Sequence, residues 1–367
     1  MTCLGSIEQI YVSYGQDPIA MIRELLSEME LKGMIPAGAR IGLKPNLVVA
    51  RPAHEGATTD PRLVEGVIQY LQEAGFYNLA ILEGSWVGDS TERAFRVCGY
   101  AELAKKYDVE LVDLQQDTAH VRKVEELELE VCDELNRVDY LINFPVLKGH
   151  CQTKITCALK NLKGCIPNRE KRRFHTLGLH KPIAYLNKAI KTHLVVVDGL
   201  FGDLDFEEGG NPVQMDRVIV GTDPVLVDSY VALLLGYQPE EIPYIGLAEK
   251  LGVGRICRDS SEAVVLNTQH TVSRIKPTRQ VENLARVIQE DQACSACYGS
   301  LLHALARLEE KGLFGLVPVP IVIGQGFRGK GGEQVGIGSC ARGFTAHVPG
   351  CPPTAKDILD LLSDYLA

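Results

Sequence analysis

Between Asn143 and Cys165 the chain reads NFPVLKGHCQTKITCALKNLKGC, which gathers Lys148, Lys154, Lys160, Lys163, His150 and three cysteines into one short stretch. An ammonium group folded against a strand end is costly unless something anionic meets it. Lys148 and Lys160 are therefore expected to hold a carboxylate, a phosphate or a developing enolate. His150 is the side chain poised near neutral pH to deliver or remove a proton. Helical spacing closed by Gly164 is read for TKITCALKNLKG, with Lys148 and His150 in the loop at the helix's positive end, where an anion would also meet unpaired backbone N–H groups. The rival reading is structural. Lys160 and Lys163 near a helix C-terminus suit the helix dipole without any ligand, and Ile155, Leu159 and Leu162 make a buried stripe.

Other acids and amides sit where strands end. Lys44 and Asn46 close ARIGLKPNLV, Thr59 lies in the run Thr58–Pro61, Glu83 ends YNLAILEG, and Asp198 ends HLVVVDGL. Asp198 is placed to orient a lysine or a ligand. Asn46 equally suits a turn cap, and His175, in a basic loop read over IPNREKRRFHTLGLHK, equally suits solvent.

A second set of residues lies late in the chain. Cys294-x-x-Cys297 opens a helix, Cys340 follows a Gly-rich turn, and Cys351 precedes Pro352-Pro353. Four thiolates delivered by turns and helix starts fit a [4Fe–4S] cluster, with zinc or metal-free core cysteines as alternatives. The Gly-Cys-Pro-Pro turn looks like the cluster-binding turn of nickel–iron hydrogenase small subunits. Cys151 and Cys165 are open either as substitutes in that ligand set or as structural thiols.

The elements that must position these residues repeat as strand, polar or Gly/Pro loop, and helix. That pattern predicts an α/β fold, a doubly wound and mostly parallel sheet with a smaller C-terminal α/β cysteine-rich module. Residues 1–274 are read as the first domain and 275–367 as the second, with TVSRIKP as linker. The length of 367 residues suits about two domains by the usual size range. A net charge of −9 argues against a general nucleic-acid surface. No long apolar segment or signal-like start is present, so a cytoplasmic protein is expected. Eleven scattered cysteines are unlike a secreted disulfide framework. No dinucleotide fingerprint of the usual spacing is found.

Taken together, KPNLV (Lys44–Val48), TTDP (Thr58–Pro61), Glu83-Gly84, FPVLKGH…TKITCALKNLKGC, His175, VVVDG (Val195–Gly199) and VGTDPVLVD (Val220–Asp228) resemble the family known as domain of unknown function 362. The resemblance spans roughly residues 38–235. It implies that Lys44, Asn46, Lys148, His150, Lys160, Asn161 and Lys163 form one constellation, and that an iron–sulfur module accompanies the domain. The cysteine spacing here departs from the ferredoxin-like module of many relatives.

The expectation that follows is an iron–sulfur oxidoreductase. Lys44, Lys148 and Lys160 bind a small anionic or carbonyl-bearing substrate, with Asn46, Thr59, Glu83, Asn161 and Lys163 around it. His150 or His175 transfers the proton, Asp198 orients a donor, and Cys294, Cys297, Cys340 and Cys351 carry the cluster. A redox protein partner is expected, and a homo-oligomer is left open. Rival readings are an electron-transfer or metal-cluster scaffold, and a non-redox lyase or ligase in which the lysines bind phosphate and the cluster is structural.

Overall fold

The computed structural model describes residues 9–267, 275, 280–317 and 320–366. The expected linker TVSRIKP lies almost wholly outside the described residues. The chain divides into two compact units, one of residues 1–171 and 180–277, the other of residues 172–179 and 278–367.

The first unit is built on one eight-stranded mixed sheet. Its strands and their satellite hairpins, in chain order, are β1 (Ile10–Tyr14), β2 (Ile41–Pro45), β3 (Leu79–Glu83), β4 (Glu110–Asp113), β5 (Ala119–Val124), β6 (Leu127–Cys132), β7 (Tyr140–Phe144), β8 (Lys148–His150), β9 (Lys154–Thr156), β10 (Leu194–Asp203), β11 (Pro212–Gly221) and β12 (Ala263–Val265). Across the large sheet the order is β12-β1-β11-β10-β7-β2-β3-β4, with β5–β6 and β8–β9 as separate two-stranded hairpins. From β2 the chain runs outward to β3 and β4, then returns to the other side of β2 as β7 and, next to it, β10. That reversal makes the carboxyl ends of β2 and β7 the sheet's topological switch point, the position at which open α/β sheets place ligands.

Central strands of this unit are apolar on both faces because helices cover the sheet. Pro18–Glu28 is capped by Asp17 and Pro61–Glu73 by Asp60, each with Pro in the first turn. A side chain at Gly66 would meet Ile22 Cγ2 at 2.5 Å, so the glycine lets these two helices touch. Their buried faces join Leu43, Ile81, Ile142 and Val196 in one core.

Two readings of local structure change. Lys148–His150 and Lys154–Thr156 pair as an antiparallel hairpin, and the helix that follows is only Ala158–Asn161, continued by a 3-10 turn over Leu162–Cys165. The β-branched run Thr153, Ile155, Thr156 favours extended chain, and the apolar spacing at 155, 159 and 162 serves a strand followed by a tight turn equally well. Conversely, Asn168–Thr176 is a helix. Its Arg, Lys and Glu residues are good helix formers, but with Phe174 as its sole large apolar residue it shows no periodicity.

The strand–loop–helix alternation also breaks at β10 and β11. These ten-residue strands pair antiparallel from Val195↔Gly221 to Asp203↔Pro212, with an irregularity between Gly199 and Phe201, because two apolar runs joined by a Gly-rich segment with no helix between them close as a hairpin. Its tip, residues 204–211, becomes part of the site.

The second unit has a four-stranded parallel sheet in the order β13-β14-β15-β16, namely Ile288–Glu290, Ile321–Ile323, Gly331–Ile337 and Gly343–Val348. Helices Ser295–Glu310 and Ala355–Leu366 belong to it. Among the described residues, no helix of the chain is long and apolar enough to cross a membrane.

Candidate functional site

Lys44 stands beside Asn143 in the β2–β7 register. Its fully buried Nζ lies 2.9 Å from Glu83 Oε2 and donates to the Pro45 carbonyl at 3.1 Å. Glu83 also accepts from the amides of Leu47 (3.1 Å) and Gly84 (2.7 Å), so the carboxylate is satisfied from within. A Cβ at Gly164 would overlap Glu83 Oε1 and lie 2.6 Å from Lys44 Nζ. Close by, Lys171 donates to the carbonyls of Gly84 (3.0 Å) and Ser85 (2.8 Å), and burial pulls its pKa down to about 8. This end of the site is a strut of paired charges.

A line of amides leads away from it. Asn143 Nδ2 donates to the Ala158 carbonyl (2.9 Å), Asn161 Nδ2 to Asn143 Oδ1 (2.7 Å), and Asn46 Nδ2 to Asn161 Oδ1 (2.8 Å). Thr59 Oγ1 accepts from the Asn46 amide and donates to the Phe144 carbonyl, stitching the turn after β2 to the end of β7. Asn46 Oδ1 is thus left facing Lys148 Nζ at 3.1 Å.

Lys148, His150 and Lys160 are all buried, and they meet around Glu207. Lys148 Nζ donates to Asn46 Oδ1, to the Ala57 carbonyl (2.5 Å) and to the Glu207 carbonyl (2.9 Å). Lys160 Nζ pairs with Glu207 Oε1. His150 Nδ1 accepts from the amides of Gln152 (3.0 Å) and Thr153 (3.1 Å), which leaves the ring proton on Nε2, 2.8 Å from Glu207 Oε2.

Burial pulls Lys148 down to about 8, with Lys160 adding to the effect and Glu207 opposing it. His150 falls to about 4, through burial first and the Lys160 charge second. Burial alone would favour the neutral acid at Glu207, yet Lys160, His150 and Lys148 hold it ionised well below the usual carboxylate range. Glu208, buried beside that charge, rises to about 7.

The remaining expected residues have their own surroundings. Asp198 accepts from the amides of Asp60 (2.7 Å) and Leu200 (3.0 Å), and burial together with the Asp60 charge raises it to about 7. Lys163 is half-buried, and its charge bears on His150. His175 belongs to the second unit. The amides at the start of the short helix, Ala158 (2.7 Å) and Leu159 (3.2 Å), donate to the Asp228 carboxylate, so the anion expected at a helix N-terminus is the protein's own acid. Burial pushes Cys165 up to about 12 and Cys151 well above the usual thiol range, against a reactive thiolate at either.

Glu207, Glu208, Lys171 and Asp228 were not singled out from sequence. The Gly- and acid-rich stretch FGDLDFEEGGNP after a buried strand was the available signal for the two glutamates.

In the second unit, Cys294, Cys297, Cys340 and Cys351 line one cavity of about 60 Å³ with Arg328, Gln325 and Ser339. Arg328 Nε donates to Cys340 Sγ (3.4 Å) and Gln325 Nε2 to Cys294 Sγ (3.7 Å), burial pushes Cys297 up to about 12, and Cys351 is exposed. Among the described residues, no group of three or more His, Cys, Asp or Glu side chains is placed to hold a metal ion. The [4Fe–4S] cluster, the zinc alternative and the metal-cluster scaffold therefore do not fit this residue set. The cysteine-rich iron–sulfur module and the iron–sulfur oxidoreductase, whose electrons were to come through it, are corrected with them.

With the geometry in place, the chain can be set beside known proteins. A family model described as "Domain of unknown function (DUF362)" matches residues 41–233, just over half of the chain. The chain belongs to that family. This DUF362 protein is 29% identical over 248 residues to a thylakoid-associated protein of Synechocystis sp., covering 64% of the present chain and 75% of that one. Among solved structures it is similar to the lactate racemase apoprotein of Thermoanaerobacterium thermosaccharolyticum (TM-score 0.38, 12% identity), covering 63% of this chain and 57% of that one. It is also similar to a Thermotoga maritima protein (TM-score 0.39, 14% identity), covering 64% and 60%. The DUF362 chain thus spans about three fifths of the length of each of those two structures.

Proposed function

We propose that this chain is a non-redox enzyme that holds a small carboxylate-bearing substrate against Lys148, His150 and Lys160 and moves a proton on the carbon next to its carbonyl. The observation that carries the reading is the meeting of two buried ammonium groups and a neutral imidazole at one residue, Lys160 and His150 at the Glu207 carboxylate and Lys148 at its backbone carbonyl, beyond the carboxyl ends of β2 and β7. Lys160 meets the anionic group by charge, and His150 Nε2–H meets it by hydrogen bonding.

Lys148 is the acid–base group. A lysine pulled to about 8 has a usable neutral fraction near physiological pH, which an exposed lysine lacks. Its neutral Nζ takes the proton, the electron pair of the broken C–H bond stays on the substrate as an enolate, and the ammonium later returns a proton. No electron leaves the substrate. Lys160 stabilises the enolate charge in a site closed to water, while Asn46, held by Asn161 and Thr59, fixes the position of Lys148. Residues 1–274 form the catalytic domain in this reading, and 275–367 an accessory one.

The test is solvent exchange. The full chain is incubated in D2O with a panel of small 2-oxo and 2-hydroxy acids, pyruvate among them, and loss of C–H signal is followed by proton NMR. Lys148→Met is expected to lower exchange by about 100-fold or more, the usual contribution of a positioned acid–base group. Exchange at the wild-type rate in that variant, or no exchange above buffer with any acid of the panel, overturns the reading.

A further inference from the structure

Glu207 belongs to the tip of the β10–β11 hairpin and reaches Lys160 and His150 from 47 and 57 residues away in the chain. The tip has its own internal frame. Asp203 accepts from the amides of Asp205 (2.9 Å), Phe206 (2.8 Å) and Asn211 (2.9 Å), closing the segment on itself at its base. Gly209, with φ of +73°, brings the segment against the Glu55 carbonyl, and the Gly210 amide donates to that carbonyl at 3.2 Å. On the other side, Gly149 lies so close beneath Leu204 that a Cβ there would overlap the Leu204 carbonyl.

The strap closes the site chemically as well as sterically. The three protons of the Lys148 ammonium are spent on Asn46, Ala57 and the Glu207 backbone carbonyl. The two donors meant for a substrate anion both face the Glu207 side chain: Lys160 Nζ pairs with Oε1, and His150 Nε2 lies 2.8 Å from Oε2. A base with no open valence and an anion site already holding an anion describe a resting state.

We propose that the Glu207 carboxylate marks the substrate-carboxylate subsite, and that residues 204–211 are a strap which the ligand's own carboxylate displaces. This rests on the anion-site reading above and narrows it. A clasp of one ammonium and one imidazole N–H, each on its own oxygen, fits a planar two-oxygen group, whereas a phosphate brings further oxygens for which this clasp supplies no donor. Withdrawal of Glu207 also removes its carbonyl from Lys148, which opens the valence that the acid–base step requires. Because Asp203 rather than the lysines shapes the tip, the strap can leave with its turn intact.

The experiment uses the full chain with acetate and inorganic phosphate as probes, measured by calorimetry and by hydrogen exchange at the amides of residues 204–211. Wild type is expected to bind acetate weakly, with faster exchange in the strap when it does. Glu207→Gln keeps the side-chain shape but removes the competing charge, and should bind acetate about tenfold more tightly, since a ligand's apparent affinity scales with the fraction of open sites. Gly149→Ala should show the same gain by pushing the strap away with every charge in place, and it stands in if Glu207→Gln fails to fold. Phosphate should gain nothing in either variant.

If neither variant gains affinity for acetate while Lys160→Met still abolishes wild-type binding, the anion site stands and the strap proposal falls. Added protection of residues 204–211 by bound acetate, or an equal gain for phosphate, also overturns it. If acetate binding is indifferent to Lys160→Met in every background, both readings fail.

Discussion

His150 presents the protonated Nε2 of its ring to Glu207 Oε2 at 2.8 Å, in a place from which solvent is excluded. Two backbone amides on Nδ1 hold the ring in that tautomer, so protonating the imidazole would force a donor against donors. The ring is therefore a fixed hydrogen-bond donor at neutral pH and a liability in acid.

Stability should record that liability. The folded pKa of His150, about 4, lies below its ordinary value of 6.5, so between those values the unfolded chain binds more protons and stability falls as pH drops. Asp198, Asp228 and Glu208, raised to about 7, act in the opposite sense: their contribution is complete below about 4 and declines as pH rises towards 7. Urea unfolding of wild type against His150→Asn, which keeps an acceptor for the turn amides and does not titrate, isolates the histidine. The difference should shift in favour of the variant by about 2 kcal/mol between pH 7 and pH 4.5. A pH-independent difference would contradict the assignment.

The Lys44–Glu83 pair should behave as a strut. Lys44→Met strands a buried carboxylate and is expected to cost about 3–5 kcal/mol. In a double-mutant cycle with Glu83→Gln, the combined loss should be clearly smaller than the sum of the two single losses. Additive losses in urea unfolding would mean that the two groups are not coupled.

Asp228 should control the position of Lys160. Asp228→Ala leaves the amides of Ala158 and Leu159 without their acceptor, at a cost of about 1–3 kcal/mol. Carboxylate binding should weaken along with it, because Lys160 rides on that single helical turn. Unchanged binding at lower stability would separate the two.

The ranking of thiol reactivity follows from burial. Among the described cysteines, iodoacetamide at pH 8 should alkylate exposed Cys351 first, while Cys132, Cys151, Cys157, Cys165 and Cys297, all raised by burial, should lag far behind. Peptide mass spectrometry over time reads the order directly, and early labelling of Cys297 would contradict it.

The half of the site that comes from strand ends was legible in the sequence. Lys44, Asn46, Glu83, Asn143 and Lys148 each close an apolar run, and parallel strands bring such ends together. What pairs with them was not legible. Glu207 arrives from a hairpin tip, and nothing local distinguishes it from the other acids of FGDLDFEEGG; only the β10–β11 register delivers it to Lys160. The helix read over Thr153–Gly164 failed because three apolar residues at 155, 159 and 162 satisfy one face of a helix and also a strand followed by one turn. His175 is a separate case. It shares a basic segment with Lys171, but the two fall in different compact units, a division that charge pattern does not reveal.

The proposed activity requires Lys148 and Lys160 to serve a ligand rather than only the fold. Equilibrium binding of carboxyl-13C pyruvate, followed by NMR line broadening in wild type, Lys148→Met and Lys160→Met, tests this most directly. One saturable site per chain, lost in both variants while their unfolding stays cooperative, is the predicted result. Binding that persists at wild-type strength in both variants, with only their melting lowered, would show that these lysines hold the sheet edge together and nothing more.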